Sequence, residues 1–203
     1  MIKIILFLIL LSFNSYAKIK IAIIDSGIYS HEQLKKFSIK KSSDTVTNEH
    51  GTHLTCILLH KLNPKDIELY SYNMYELGVH KSLELAIQEN VNYILFAGSG
   101  REYNLKEYNL LLKASRQGIF IITSAGNDHL NLDEYSVYPC EYRISKLKCV
   151  GNDKFYSNKG KNIIKVKESK FESCSKNNKF KIKEGTSQSA AFYLNTLLRK
   201  DLQ

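Results

Sequence analysis

Apolar residues in this chain form short unbroken runs, and these alternate with segments in which they recur at every third or fourth position. The runs KIAII at Lys20–Ile24, IELYSY at Ile67–Tyr72, VNYILFA at Val91–Ala97 and IFIIT at Ile119–Thr123 lack the polar alternation of a half-exposed strand. KIAII and VNYILFA are therefore predicted as buried strands, and IELYSY and IFIIT as further strands. Two shorter strands are expected at Leu147–Val150 and Ile163–Val166. Between them, Leu54, Ile57, Leu58 and Leu62 predict a helix over 51–62, and Leu83, Ala86 and Ile87 predict another over 79–90. A third helix is expected over 105–117, closed by Gly118, and a last one from Ser187 to about Lys200. Strands alternating with helices predict an α/β fold with a mainly parallel sheet and helices on both faces. Such sheets place ligand sites beyond the carboxyl ends of their strands. With no repeat, low-complexity tract or linker, 18–203 is expected to be one domain.

The first seventeen residues do not belong to this pattern. A basic start at Lys3, the apolar run from Ile4 to Phe13 and the small residues Ser15 and Ala17 match a secretory signal cleaved after Ala17. The run falls short of the roughly 20 residues a spanning helix needs. A secreted or periplasmic protein is expected, with no stable membrane anchor after signal cleavage. In an exported chain, Cys56, Cys140, Cys149 and Cys174 are expected to form disulfides. Cys140 and Cys149 flank a short segment and are the favoured pair. Cys56 lies in an apolar stretch and is also readable as a buried free thiol. The formal charge of +9 reflects scattered lysines, and no aromatic-interleaved basic motif accompanies them. Nucleic acid is thus not an expected partner, and no C-x-x-C spacing predicts a zinc site.

Three segments carry candidate chemistry, each with an ordinary structural alternative. Asp25-Ser26-Gly27 places a carboxylate directly after a buried strand, where a plain turn is also expected. His50-Gly51-Thr52-His53 opens a helix, but lacks the acidic residue and the spacing of a zinc-protease helix. Gly185-Thr186-Ser187-Gln188-Ser189 puts a serine at a helix start, where serine commonly caps free amides. His31, His60, His80 and His129 have no partner at a telling spacing and read as surface or packing residues. His53 reads as a packing or hydrogen-bonding residue of its helix.

Taken together and in this order, the segments resemble the D-[ST]-G, H-G-T-H and G-T-S-x-[AS] motifs of the subtilisin-like serine proteases. Ser124-Ala125-Gly126-Asn127, after an apolar strand, is similar to that family's A-G-N segment. The resemblance spans about Lys20 to Ala191. It implies a subtilisin-like three-layer sandwich and a serine endopeptidase acting through an acyl-enzyme. Ser187 would be the nucleophile, His50 its general base, and Asp25 the group holding the imidazole. Asn127 and the Ser187 N–H would form the oxyanion hole. By the same resemblance Ala97, Gly98, Ser99 and Gly100 would be the edge that pairs with an extended substrate. Ala125 and Gly126 would wall the pocket before the scissile bond, and Val137-Tyr138-Pro139 would floor it. Protein or peptide substrates, a monomeric state, no cofactor and no metal are expected. The pattern departs from the family where Ala190-Ala191-Phe192 stands in place of the usual proline, and in the few residues after the serine. There is also no room for a pro-segment between Ala17 and Lys20. The alternative is a catalytically weak or inactive relative that keeps the fold and binds peptides or proteins.

Overall fold

The structure, a computed structural model, describes residues 17–202. The expected signal, apart from Ala17, lies outside the described residues. In chain order the elements are β1 (Ile19–Asp25), β2 (Ser38–Lys41), α1 (His50–Leu59), β3 (Ile67–Asn73), α2 (Met74–Leu77), α3 (Val79–Gln88) and β4 (Tyr93–Phe96). After these come α4 (Leu105–Arg116), β5 (Phe120–Ser124), β6 (Leu147–Asn152), β7 (Ile163–Val166), β8 (Lys170–Cys174), β9 (Phe180–Glu184) and α5 (Thr186–Asp201). Seven strands pair in parallel in the order β2-β3-β1-β4-β5-β6-β7, and β8 and β9 form a separate antiparallel hairpin.

β1 shows why the apolar runs are unbroken. Ile21 and Ile23 face one side, in a core with Leu54 and Leu58 of α1 and Leu194 and Leu198 of α5. Ala22 and Ile24 face the other side, with Leu83 and Ala86 of α3 and Leu111 and Ala114 of α4. A strand covered on both faces has no solvent side on which to place a polar residue. Each fully buried isoleucine contributes about 1.5–3 kcal/mol. The expected three layers are thus present, and β1, an interior strand of the sheet, ends at Asp25 where the strand order reverses between β3 and β4.

Several boundaries differ from the expectation. β4 begins at Tyr93 because Asn92 turns the chain, its Oδ1 accepting the Lys20 N–H at 2.8 Å. α1 ends at Leu59, since His60 leaves helical geometry and Lys61 has φ of 59°. The amide of buried Asn195 donates to Leu58 O and His60 O, both at 2.8 Å, and so caps that helix from α5. β2 and the β8–β9 hairpin escaped the sequence reading. β2 and β9 are largely exposed and lysine-rich, and β8 mixes charged with small residues, so all three offer little apolar signal. Cys140 and Cys149 are bridged as expected. Cys56 is bridged to Cys174 across 118 positions, so its alternative reading as a free thiol is corrected: the hairpin brings the two sulfurs together.

Candidate active site

Two loops meet at the end of β1, and the short motif residues hold them together. Gly27, with φ of 83°, turns the chain so tightly that a Cβ would lie 2.7 Å from Thr45 O. Ser26 Oγ donates to Asn48 O at 3.0 Å and accepts the Gly51 N–H at 3.0 Å. Thr52 Oγ1 accepts the Tyr29 N–H at 2.8 Å. The start of α1 therefore presses against the Asp25 turn. A Cβ on Gly51 would come 2.5 Å from Gly27 O and 3.2 Å from Asp25 Oδ1, so only glycine allows the approach.

That approach delivers His50 to Asp25. The carboxylate is buried, at 4% exposed, and its Oδ1 accepts the Ser26 N–H at 2.8 Å. His50 Nδ1 lies 3.0 Å from Oδ1 and 2.9 Å from Oδ2. A carboxylate can only accept, so Nδ1 carries the proton and Nε2 is left as an acceptor. The imidazole itself stays one-third exposed.

Ser187 occupies the first turn of α5, where backbone N–H groups lack intrahelical partners. Its hydroxyl donates to Ala97 O at 3.3 Å, a carbonyl that Ser124 Oγ also reaches at 3.0 Å. The β5 loop is tied to the same turn in both directions. Thr186 Oγ1 accepts the Gly126 N–H at 3.2 Å, and the Thr186 N–H donates to Asn127 Oδ1 at 3.0 Å. With Oδ1 so engaged, the Asn127 Nδ2 remains the end available for donation, beside the start of α5.

At the strand edge, Gly100 exchanges both backbone hydrogen bonds with Tyr138, at 2.9 and 2.7 Å. Of residues 97–100, Gly100 is thus already paired, and 97–99 leave the strand geometry of β4. Val137 is buried in a cluster with Ala125, behind the expected pocket wall.

No family model and no curated protein sequence matches the chain. Solved structures do. A prenylagaramide maturation protease, PagA, superimposes with a TM-score of 0.74 at 16% identity, over 91% of this chain and 77% of that one. The chain has the subtilisin-like fold. A cold-adapted subtilisin-like serine proteinase gives the same TM-score at 16% identity, covering 90% of this chain and 76% of the other. The nisin leader peptidase NisP from Lactococcus lactis gives 0.72 at 15% identity, covering 89% and 76%.

In this subtilisin-like chain the β8–β9 hairpin docks on α1 through groups the motifs do not announce. His53 is fully buried; its ring donates from Nε2 to Lys181 O at 3.0 Å, and its own carbonyl accepts Ser173 Oγ at 2.9 Å. Nδ1 of His53 has no partner, and burial pushes the imidazole below its ordinary pKa. Glu49 pairs with Lys181 at 2.7 Å and Lys183 at 3.4 Å and accepts the Ser175 hydroxyl. The Lys181 and Ser175 hydrogen bonds hold its carboxyl at about 2, far below the ordinary carboxylate range. Among the described residues, the one grouping with metal-ligand spacing is His31 with Cys56 and Cys174, whose sulfurs are bonded to each other. His31 itself is buried, edge-on to Phe180, and caps a short turn by accepting the Gln33 N–H.

Proposed function

We infer that the chain is a serine endopeptidase, exported by its leader, that hydrolyses protein or peptide substrates through Asp25, His50 and Ser187. The buried Asp25 carboxylate gripping His50 Nδ1 with both oxygens carries this reading. That contact fixes the tautomer in which Nε2 accepts a proton, and it stabilises the imidazolium formed when it does so. Ser187 exchanges the Ala97 carbonyl for His50 Nε2, gives up its proton and attacks the scissile carbonyl carbon. The carbonyl oxygen becomes an oxyanion between Asn127 Nδ2 and the Ser187 N–H, at the positive end of the α5 dipole. His50 then protonates the leaving amine, and water repeats the sequence on the acyl-enzyme. Ala97 O, once released, and the backbone of Ser99 accept an extended substrate, with Ala125 and Gly126 as pocket wall. Two disulfides suit an oxidising compartment. Among the described residues no helix is long and apolar enough to cross a membrane.

A fluorophosphonate probe tests the proposal. Folded wild-type protein should label and cleave an unfolded protein substrate, while Ser187→Ala should do neither and His50→Ala should label far more slowly. Folded wild type that neither labels nor cleaves overturns it in favour of a peptide-binding relative.

A further inference from the structure

Asn158 lies in the loop between β6 and β7, far in sequence from every motif, yet its side chain is spent on the strand-to-helix loop that carries Asn127. It is 1% exposed. Its Oδ1 accepts the N–H groups of Asp128 at 3.1 Å and Leu130 at 2.9 Å. Its Nδ2 donates to Ala125 O at 2.9 Å and lies 3.5 Å from Asp128 Oδ2. Its backbone N–H donates to Gly126 O at 3.0 Å. These bonds hold the residues on both sides of Asn127 and leave Asn127 itself exposed.

The packing repeats the message. Gly126, with φ of 97°, passes so close that a Cβ would lie 2.6 Å from Asn158 Nδ2 and 3.3 Å from Ser99 Oγ. Asn158 is in turn fixed from behind, because Ser157 Oγ donates to Asn158 O at 3.0 Å and accepts the Asn152 N–H at 3.0 Å. Every hydrogen-bonding atom of this carboxamide is engaged. A buried polar side chain so fully committed rigidifies what it holds.

We propose that Asn158 is a positioning residue for the oxyanion hole: it fixes the backbone on either side of Asn127 so that Nδ2 stands where charge develops. The proposal rests on the peptidase reading above. A donor displaced by about 1 Å no longer matches the oxyanion, although the substrate's ground state is bound as before. Loss of Asn158 should therefore fall on kcat and leave KM nearly unchanged.

A double-mutant cycle with Asn127 tests this on the full chain. Asn158→Ala is expected to lower kcat about 10-fold or more, bounded by the roughly 10²–10³ lost with the oxyanion donor itself. In an Asn127→Ala background the same change should cost less than about 2-fold, because residues acting through one group are not additive. Asn158→Asp keeps both acceptor bonds, gives up the donated one and sets an oxygen against Ala125 O and Asp128 Oδ2. It is the second variant should the alanine protein fail to fold, and the same non-additivity is expected of it. Equal losses in both backgrounds, or a loss confined to KM, overturn the positioning role while leaving the peptidase reading intact. A folded wild-type chain that neither labels nor cleaves overturns both.

Discussion

At the scale of single residues, each motif position has a geometric task. Asn127→Ala removes a donor used only once charge develops. If it serves as proposed, kcat should fall by about 10²–10³ with little change in KM, as steady-state kinetics on a peptide substrate would show. Gly51→Ala has a different effect. Its new Cβ would meet Gly27 O, a backbone atom, at 2.5 Å, and the neighbouring contact is Asp25 Oδ1. The start of α1 has to move outward, taking His50 with it. A stability loss of about 1–3 kcal/mol is expected in urea titration, with a fall in activity exceeding the unfolded fraction. Normal stability with normal activity would show that the turn yields without cost.

At the scale of elements, the β8–β9 hairpin and α1 behave as one clamped unit. The Cys56–Cys174 bridge fastens it, closing a sequence separation of 118, whereas Cys140–Cys149 closes 9. If restricting the unfolded chain dominates, the longer loop stabilises by about 2 kcal/mol more than the shorter one. Replacing Cys56 and Cys174 by alanine should therefore lower the urea midpoint more than replacing Cys140 and Cys149. The reverse order would show that local geometry, not chain entropy, governs these bridges. Because α1 begins with His50, loosening the clamp should also reduce activity before global unfolding.

For the whole molecule, the same clamp sets the response to acid. His53 is buried neutral with its pKa lowered, so the unfolded chain binds a proton that the folded chain resists. Stability is then intact above the ordinary histidine value near 6.5 and declines as pH falls below it. Glu49, held at about 2 in the fold, adds stability above the ordinary carboxylate value. That contribution is lost as pH falls from there toward 2. Urea midpoints from pH 8 to pH 3 should therefore fall in two stages, and His53→Gln should flatten the first. A flat profile between pH 7 and 5 in the wild type would show that His53 does not resist protonation.

The alternation of the main strands with helices, the two buried faces of β1 and the short segments that bring His50 to Asp25 were legible in the sequence. The candidate site residues were marked by the resemblance of their short motifs taken in order, because each motif alone also reads as a plain turn or helix start. Local pattern dictates the elements, since a run such as KIAII has only one way to be buried. Cys140–Cys149 was legible for the same reason, its ends being near in the chain. The tertiary structure alone decided what depends on residues far apart. It paired Cys56 with Cys174, gave both backbone bonds of Gly100 to Tyr138, set a lysine-rich hairpin on α1, and spent the side chain of Asn158 on the loop that bears Asn127. Such partners meet only when the sheet assembles, and a hydrogen bond between residues thirty or a hundred positions apart leaves no periodicity in either segment.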